Sequence, residues 1–322
     1  MTQRNIHVMG GPAHPSSRAS TPLDSRSMAT HLSIAYAGEP GAFAEDAVLA
    51  AFGDVDRVAL GSFREVFESV TGGASKAGVV PIENVINGTV RENYDLLLEH
   101  ELEIVDEVVV PVRLCLAALA GQRLDDIGRV YSHIQALGQA EAFLRRRPWQ
   151  LLTTYNTAGA GKAIVDRGER GAAAVLSPRA AALVGLEILA DEIGDSSDNR
   201  TRFIVVGRVS GVGGPHREGG GAAHAASGGA GPWRTTLAFG VRNEPGSLLR
   251  ALGVFAGRSV NLSRLESRPS RERAWEYVFW TDLDGAAGTT EIAAALDDLR
   301  SVTTFVRVLG SYRRADDATA RA

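Results

Sequence analysis

The sequence predicts an α/β protein, two α/β halves around a central cleft with a smaller domain at the C-terminal end, and three observations predict it. Residues 32–210 alternate short β-rich runs with helical patterns, residues 101–120 interrupt them with one long extended stretch, and residues 232–312 read strand, helix, strand, strand, helix, strand. At 322 residues the chain is long enough for about two domains of ordinary size.

In the larger segment LSIAY (32–36) precedes a helical pattern at 41–52, and AGVVPIE (77–83) precedes one at 89–100. RVYS (129–132) leads to 134–146, LLTTY (151–155) to 157–166, and AAAVL (172–176) to 178–184. Such repeats imply βαβ units and a mostly parallel sheet. The stretch ELEIVDEVVVPVRLCLAALA (101–120) has no room for a helix and reads as the crossing between the halves. Ligands collect at the carboxyl ends of parallel strands, so the loops after Tyr36, Val80, Tyr131, Tyr155 and Leu176 are the candidate site.

The smaller segment reads as strands at 234–241, 260–267, 274–281 and 303–309 with helices at 245–256 and 289–299. That order is the ferredoxin-like split βαβ, which puts both helices on one face and leaves the other face or an edge open for pairing. Between the segments, 211–231 carries nine glycines in 21 residues and reads as a flexible linker. Its His216 and His224 have no fixed geometry for a metal. Residues 1–31, rich in Ser, Pro, Arg and His, read as a disordered leader, and 313–322 as a tail.

Composition excludes several classes. Hydrophobic residues are 44%, charged residues 22%, and mean hydropathy is −0.04, the profile of a globular protein with a real core. A net charge of −4 (34 Lys+Arg against 38 Asp+Glu) argues against nucleic acid and membrane surfaces as partners. The longest apolar stretch, 108–120, is broken by Pro111 and Arg113 and is too short to span a bilayer. The single cysteine, Cys115, excludes an internal disulfide and a thiolate zinc site, fits a reducing compartment such as the cytoplasm, and reads as a buried small hydrophobe.

Five clusters fall on or after the candidate loops. Gly38-Glu39-Pro40-Gly41-Ala42-Phe43 is a glycine turn opening a helix. In 81–90 a strand ends in Glu83 and Asn84 before a helix that Asn87 or Thr89 is placed to cap. In 132–139 Ser132, His133 and Gln135 follow a strand, and Asn156-Thr157-Ala158-Gly159 puts a hydroxyl and small residues at a helix start. The following Ala160-Gly161-Lys162 does not complete a Walker loop. Asp198-Asn199-Arg200-Thr201-Arg202-Phe203 precedes an apolar strand.

Taken in order, these clusters resemble prephenate dehydratase, the Thr-Arg-Phe triplet at 201–203 most tellingly. Residues 261–269, with Glu266-Ser267-Arg268-Pro269, are similar to the phenylalanine-binding element of the ACT domain fused to these enzymes, and 243–248 to the turn opening its first helix. The resemblance implies two periplasmic-binding-protein-like halves plus an ACT domain, in homodimers or homotetramers. It implies conversion of prephenate to phenylpyruvate, CO2 and water with no cofactor and no metal, regulated by L-phenylalanine. It implies Thr201 as the catalytic hydroxyl and Glu83, Asn84, Ser132, Gln135, Thr157, Arg202 and Phe203 as lining or shaping the substrate site. For the effector it implies Asn243, Pro245, Gly246, Ser247, Leu248, Asn261, Leu262, Glu266, Ser267 and Arg268. The chain departs from the family pattern at Val85, where Ser is common, and at Ile134, where Pro is usual.

The implied chemistry ends in an aromatic ring, so it needs a donor for the departing hydroxide rather than a strong nucleophile. A threonine hydroxyl is a weak acid, so Thr201 is expected to donate a hydrogen bond and relay a proton from Glu83 or His133. A cation on the ring carboxylate would stabilise the ground state more than the transition state, so cations belong at the pyruvyl end. Arg202 is the obvious clamp, yet adjacent strand residues face opposite ways. Either the triplet begins in a loop, or Arg202 is structural and helix-start N–H groups bind the carboxylates. An arogenate dehydratase, a non-aromatising decarboxylase and a non-catalytic sensor are the competing readings.

Overall fold

Apolar strands and capped helices build the first lobe. It comprises β1 (Ser33–Ala37), α1 (Phe43–Phe52), β2 (Asp56–Leu60), α2 (Phe63–Thr71), β3 (Ala77–Asn84), the two-residue β4 (Gly88–Thr89), α3 (Arg91–Glu99) and β5 (Leu102–Pro111). Helix α2 shows the local logic: Ser62 Oγ accepts from Glu65 N at 3.2 Å, and Val66, Phe67 and Val70 form the buried face. Strand β2 and helix α2 are not among the runs the sequence offered, because β2 is an edge strand with no residue fully buried.

The second lobe holds β6 (Cys115–Ala118), β7 (Arg129–Ser132), α4 (Ile134–Gln139), α5 (Glu141–Leu144), β8 (Gln150–Thr153), α6 (Thr157–Arg167), β9 (Ala172–Leu176), α7 (Pro178–Val184) and β10 (Glu187–Ala190). The helix expected over 134–146 is two short ones, since Asp195 reaches in to accept from Ala142 N at 3.1 Å and caps a fresh helix start after Ala140. Helix α6 is bounded by Asn156, accepting from Gly159 N at 2.6 Å, and by left-handed Gly168. The chain then returns to the first lobe as β11 (Arg200–Arg208).

This computed structural model describes residues 32–208, 232–270 and 276–315, so the expected leader 1–31 and linker 211–231 lie outside the described residues. The first sheet runs β2-β1-β3-β11-β5 with β4 on β3, and the second β10-β6-β9-β7-β8. Both are mixed rather than mostly parallel. β1 pairs in parallel with β2 and β3, and β7 with β8 and β9, but the crossing strands β5, β6 and β11 all pair antiparallel. Two crossings between lobes, after β5 and before β11, force those strands to run against their neighbours. The lobes are two α/β halves that meet at the carboxyl ends of their parallel strands.

The C-terminal part is β12 (Trp233–Val241), α8 (Ser247–Gly257), β13 (Leu262–Pro269), β14 (Tyr277–Asp284), α9 (Thr290–Val302) and β15 (Phe305–Arg313), with sheet order β13-β14-β12-β15. One face packs on α8 and α9 through Phe239, Phe255, Leu283 and Leu296. The helix-free face, one of the two alternatives expected to be left for pairing, is covered. Ala238, Trp280, Leu309 and Tyr312 are buried in one cluster with Tyr94, Leu97, Ile104 and Val206 of the first lobe. Trp280 meets Tyr94 edge-on at a ring separation of 4.7 Å. Strand β15 crosses β5 so closely that a Cβ at Gly310 would collide with the Ile104 carbonyl. From Leu32 onward the described residues form one compact unit.

Candidate active site

Strands β3 and β11 run antiparallel with Asn84 opposite Thr201, next to the crossing strand β5 and the end of α4. Asn84 Nδ2 donates to Thr201 Oγ1 at 2.9 Å and to Asn199 Oδ1 at 2.9 Å. Asn84 Oδ1 accepts from the backbone N–H groups of Ile86 and Asn87 at 3.1 and 2.9 Å, which fixes the amide's orientation and turns its NH2 toward Thr201. Asn199 Nδ2 donates in turn to Gln139 Oε1 at 3.0 Å, and Gln139 Nε2 approaches Asn84 Oδ1 at 3.4 Å. Thr201, Asn84, Asn199 and Gln139 are all buried. A closed neutral network thus joins both lobes around the Thr201 hydroxyl, whose proton has no acceptor among the described residues. Asn199 and Gln139 lie within the 198–203 and 132–139 clusters, where nothing local marks them; their signal is tertiary.

The other expected substrate residues are distributed differently. Glu83 and Arg202 lie on the opposite faces of the same strands from Asn84 and Thr201. Arg202 is largely covered and pairs with Asp282 at 2.9 Å and Glu107 at 3.2 Å, with Glu83 at 3.4 Å. Its ion pairs point to the C-terminal domain and not to Thr201, as strand alternation requires. Burial disfavours the Arg202 charge, but Asp282, Tyr312 and Glu107 outweigh it and hold its pKa well above the ordinary value. Phe203 is buried in the first lobe's core beneath the site with Tyr36, Val79 and Val110. The buried Ser132 hydroxyl donates to Val175 O at 2.6 Å and so braces the second sheet. Gln135 and Thr157 stand at the N-termini of α4 and α6 on the second lobe's rim, with no hydrogen bond from either side chain to the Thr201 network. His133 caps α4 weakly, with Gln135 N to Nδ1 at 3.4 Å, and burial pushes its pKa down, so it stands neutral near pH 7.

Lobe-to-lobe contacts frame the cleft. Arg179 of α7 pairs with Glu45 and Asp46 of α1, each at 2.8 Å, and Tyr155 Oη donates to Glu39 at 2.9 Å. Burial raises both α1 carboxyls; the Gly41 N–H and Arg179 bring Glu45 below its ordinary value, while Asp46 stays raised. Gly41, at φ 89°, lies so near α7 that a Cβ would stand 2.8 Å from Ala180 Cα. No group of three or more His, Cys, Asp or Glu among the described residues is placed to hold a metal ion.

The expected effector residues split into two sets. Asn243 and Leu248 line a cavity of about 140 Å³ with Val241, Arg242, Glu244, Tyr277 and Phe279, and the Pro245–Ser247 turn opens α8 beside it. Ser267 is exposed and pairs in register with Phe279, next to that cavity. Leu262 is partly buried in the domain core, and Asn261 donates to Asp284 at 2.6 Å. Glu266 and Arg268 instead face the first lobe: Glu266 accepts from Thr89 at 2.6 Å, and Arg268 pairs with Asp95 at 2.7 Å. Neither Asn87 nor Thr89 caps α3, whose N-cap is Val90 with no side-chain bond; Thr89 is turned to the C-terminal domain.

Fold and site together define a two-lobed α/β enzyme, its chemistry at the strand ends, with a ferredoxin-like domain docked on one lobe. The family profile described as prephenate dehydratase matches residues 34–210, and the ACT domain profile matches 235–301. Arogenate dehydratase/prephenate dehydratase 1, chloroplastic, of Arabidopsis thaliana is 36% identical over 293 residues, covering 87% of this chain and 71% of that protein. The prephenate dehydratase of Arthrobacter aurescens, solved in complex with L-Phe, superposes with TM-score 0.77 at 33% identity over 88% of this chain and 90% of that one. A structure described as GqqA, a novel type of quorum quenching acylase, gives TM-score 0.77 at 30% identity, covering 89% and 99%. The chain belongs to the prephenate dehydratase family: it is a lyase of aromatic amino acid biosynthesis with a C-terminal ACT domain.

Proposed function

We propose that the cleft converts prephenate to phenylpyruvate, CO2 and water, with Thr201 donating to the departing hydroxyl. The observation that carries this is the Thr201 hydroxyl itself, buried, accepting from Asn84 Nδ2 at 2.9 Å and keeping its own proton for a ligand. The bond from ring carbon to carboxylate breaks and its electron pair becomes ring π density, while the C–O bond breaks toward oxygen. Hydroxide leaves as water, so one proton is consumed. Glu83 faces the joint with the C-terminal domain and His133 stands neutral, so solvent supplies that proton through the hydroxyl.

The pyruvyl carboxylate is assigned to the start of α6, where Thr157 and first-turn N–H groups offer an anion site without a side-chain cation. Neutral amides beside Thr201 leave the ring carboxylate unclamped, which favours its loss. L-phenylalanine is assigned to the cavity lined by Asn243 and Leu248. A homo-oligomer in a reducing compartment completes the reading, supported by Leu249 (75% exposed), Leu265 and Tyr277 on the ACT domain and by the single buried cysteine.

The test is to supply prephenate and, separately, arogenate, and to quantify phenylpyruvate and phenylalanine for wild type and Thr201→Val, with and without added L-phenylalanine. Phenylpyruvate from prephenate, lost in the variant and altered by the effector, is the expected result. Turnover of arogenate alone would reassign the substrate, and full activity of Thr201→Val would remove the hydroxyl from the mechanism.

A further inference from the structure

The β3–β4 hairpin has two working faces. On one, Asn84 holds Thr201 and closes the hairpin loop by accepting from Ile86 and Asn87. On the other, Thr89 donates to Glu266 Oε2 at 2.6 Å and accepts from Arg264 Nη2 at 2.7 Å, both residues belonging to β13 of the ACT domain. Arg264 also bonds Glu266 at 2.8 Å, approaches Glu83 at 3.5 Å, donates to the Tyr94 hydroxyl, and lies 4.9 Å from the centre of the Tyr94 ring. Glu83 and Thr89 are register partners, as are Asn84 and Gly88, so the ACT strand grips both arms of the hairpin that carries Asn84.

We propose that Thr89 and Arg264 are positioning residues for the dehydration, and that the edge strand of the ACT domain sets the order of the β3–β4 hairpin and thereby the aim of the Thr201 hydroxyl. A shift of β13 reaches Thr201 through two hydrogen-bonded steps, Thr89 to the hairpin and Asn84 to the hydroxyl, without any motion of the interdomain connection. The proposal rests on the reading of Thr201 as donor. Misaim of a donor that acts only in the transition state lowers kcat more than it raises KM.

The experiment compares wild type, Thr89→Val, Thr89→Ser and Arg307→Gln in steady-state turnover of prephenate, together with hydrogen exchange of the hairpin amides 82–90. Arg307 also fastens the ACT domain to the first lobe, donating to Leu98 O at 2.7 Å and His100 O at 2.6 Å, but it does not touch the hairpin. Expected for Thr89→Val are faster exchange at Ile86 and Asn87 and a fall in kcat of about three- to tenfold with KM within about twofold. Thr89→Ser restores both, and Arg307→Gln leaves kcat and the hairpin amides as in wild type. Unchanged exchange in Thr89→Val, or an equal loss of kcat in Arg307→Gln, would overturn the proposal, as would a change in KM alone. Failure of the Thr201 reading shows separately, as retained turnover in Thr201→Ala. If Thr89→Val does not fold, Arg264→Lys, which keeps the charge but loses the planar fork, takes its place with the same expected split.

Discussion

The two faces of β3 and β11 differ as sharply as any two regions of the molecule, although they are built from neighbouring residues. The Asn84/Thr201 face is neutral, a ring of amides and one hydroxyl that accepts from Asn84 and keeps its own proton free among the described residues. The Glu83/Arg202 face is a buried ion cluster in which Arg202 and Arg234 share Glu107, the latter at 2.6 Å, and Asp282. The difference teaches a division of labour: neutral dipoles surround the hydroxyl proposed to act where a carboxylate must lose its charge, while full charges, costly to bury and strict in geometry, fix how one domain docks on another.

The sharpest way to break this comparison is to exchange the consequences of its two members. Thr201→Val should lower kcat for phenylpyruvate formation by about 10²–10⁴-fold with little change in unfolding midpoint. Arg202→Met should do the reverse in kind, costing about 3–5 kcal/mol in denaturant unfolding because Glu107 and Asp282 lose a buried partner. Equal stability losses in the two variants would end the distinction.

Gln139→Leu removes the second lobe's share of the neutral ring and leaves Asn199 Nδ2 without its acceptor. A cost of about 1–3 kcal/mol, read as lost kcat/KM or lost stability, is expected for the orphaned group. The ion cluster also has a pH signature. Burial raises the Asp282 carboxyl, but Arg202, Arg234 and Thr236 outweigh it and bring its pKa below the ordinary 3.8. Its stabilisation is therefore present above that value and fades as pH falls through the lower folded value. Stability titrated downward from pH 5 should drop more steeply in wild type than in Asp282→Asn; parallel curves would mean that the carboxyl carries no charge in the joint.

The smallest effect is expected at Cys115. Burial pushes its thiol up to about 12, so native protein near pH 8 should resist alkylation for as long as it stays folded and lose no activity. Rapid labelling would show that the second lobe opens, and would place its core among the mobile parts of the molecule.

Much of the fold was legible because local patterns carried it. AAAVL matches β9 residue for residue, Pro178 and Gly185 bracket α7, and the strand–helix order of the C-terminal part is the order observed. Strand β2 escaped because an edge strand is only half buried and lacks a continuous apolar run. The sequence offered the covered ACT face as one of two surfaces for pairing, although β14, with Val278, Phe279 and Trp280 in succession, is apolar on both sides. Such a strand has both faces covered.

At the candidate site, the motifs contain Asn84 and Thr201, whose side chains meet, and strand alternation already warned that Arg202 would face away from Thr201. Turn chemistry, capping and hydrophobic period act over a few residues, so local pattern was enough to say which residues sit at strand ends and helix starts. Long-range packing completes the ring around Thr201 with Gln139 and Asn199, and brings Thr89 to Glu266 and Arg264. Apart from Arg264 and Glu266, which share one strand, those partners are 55 to 177 residues apart, and a hydrogen bond depends on distances of about 3 Å that no spacing along the chain encodes.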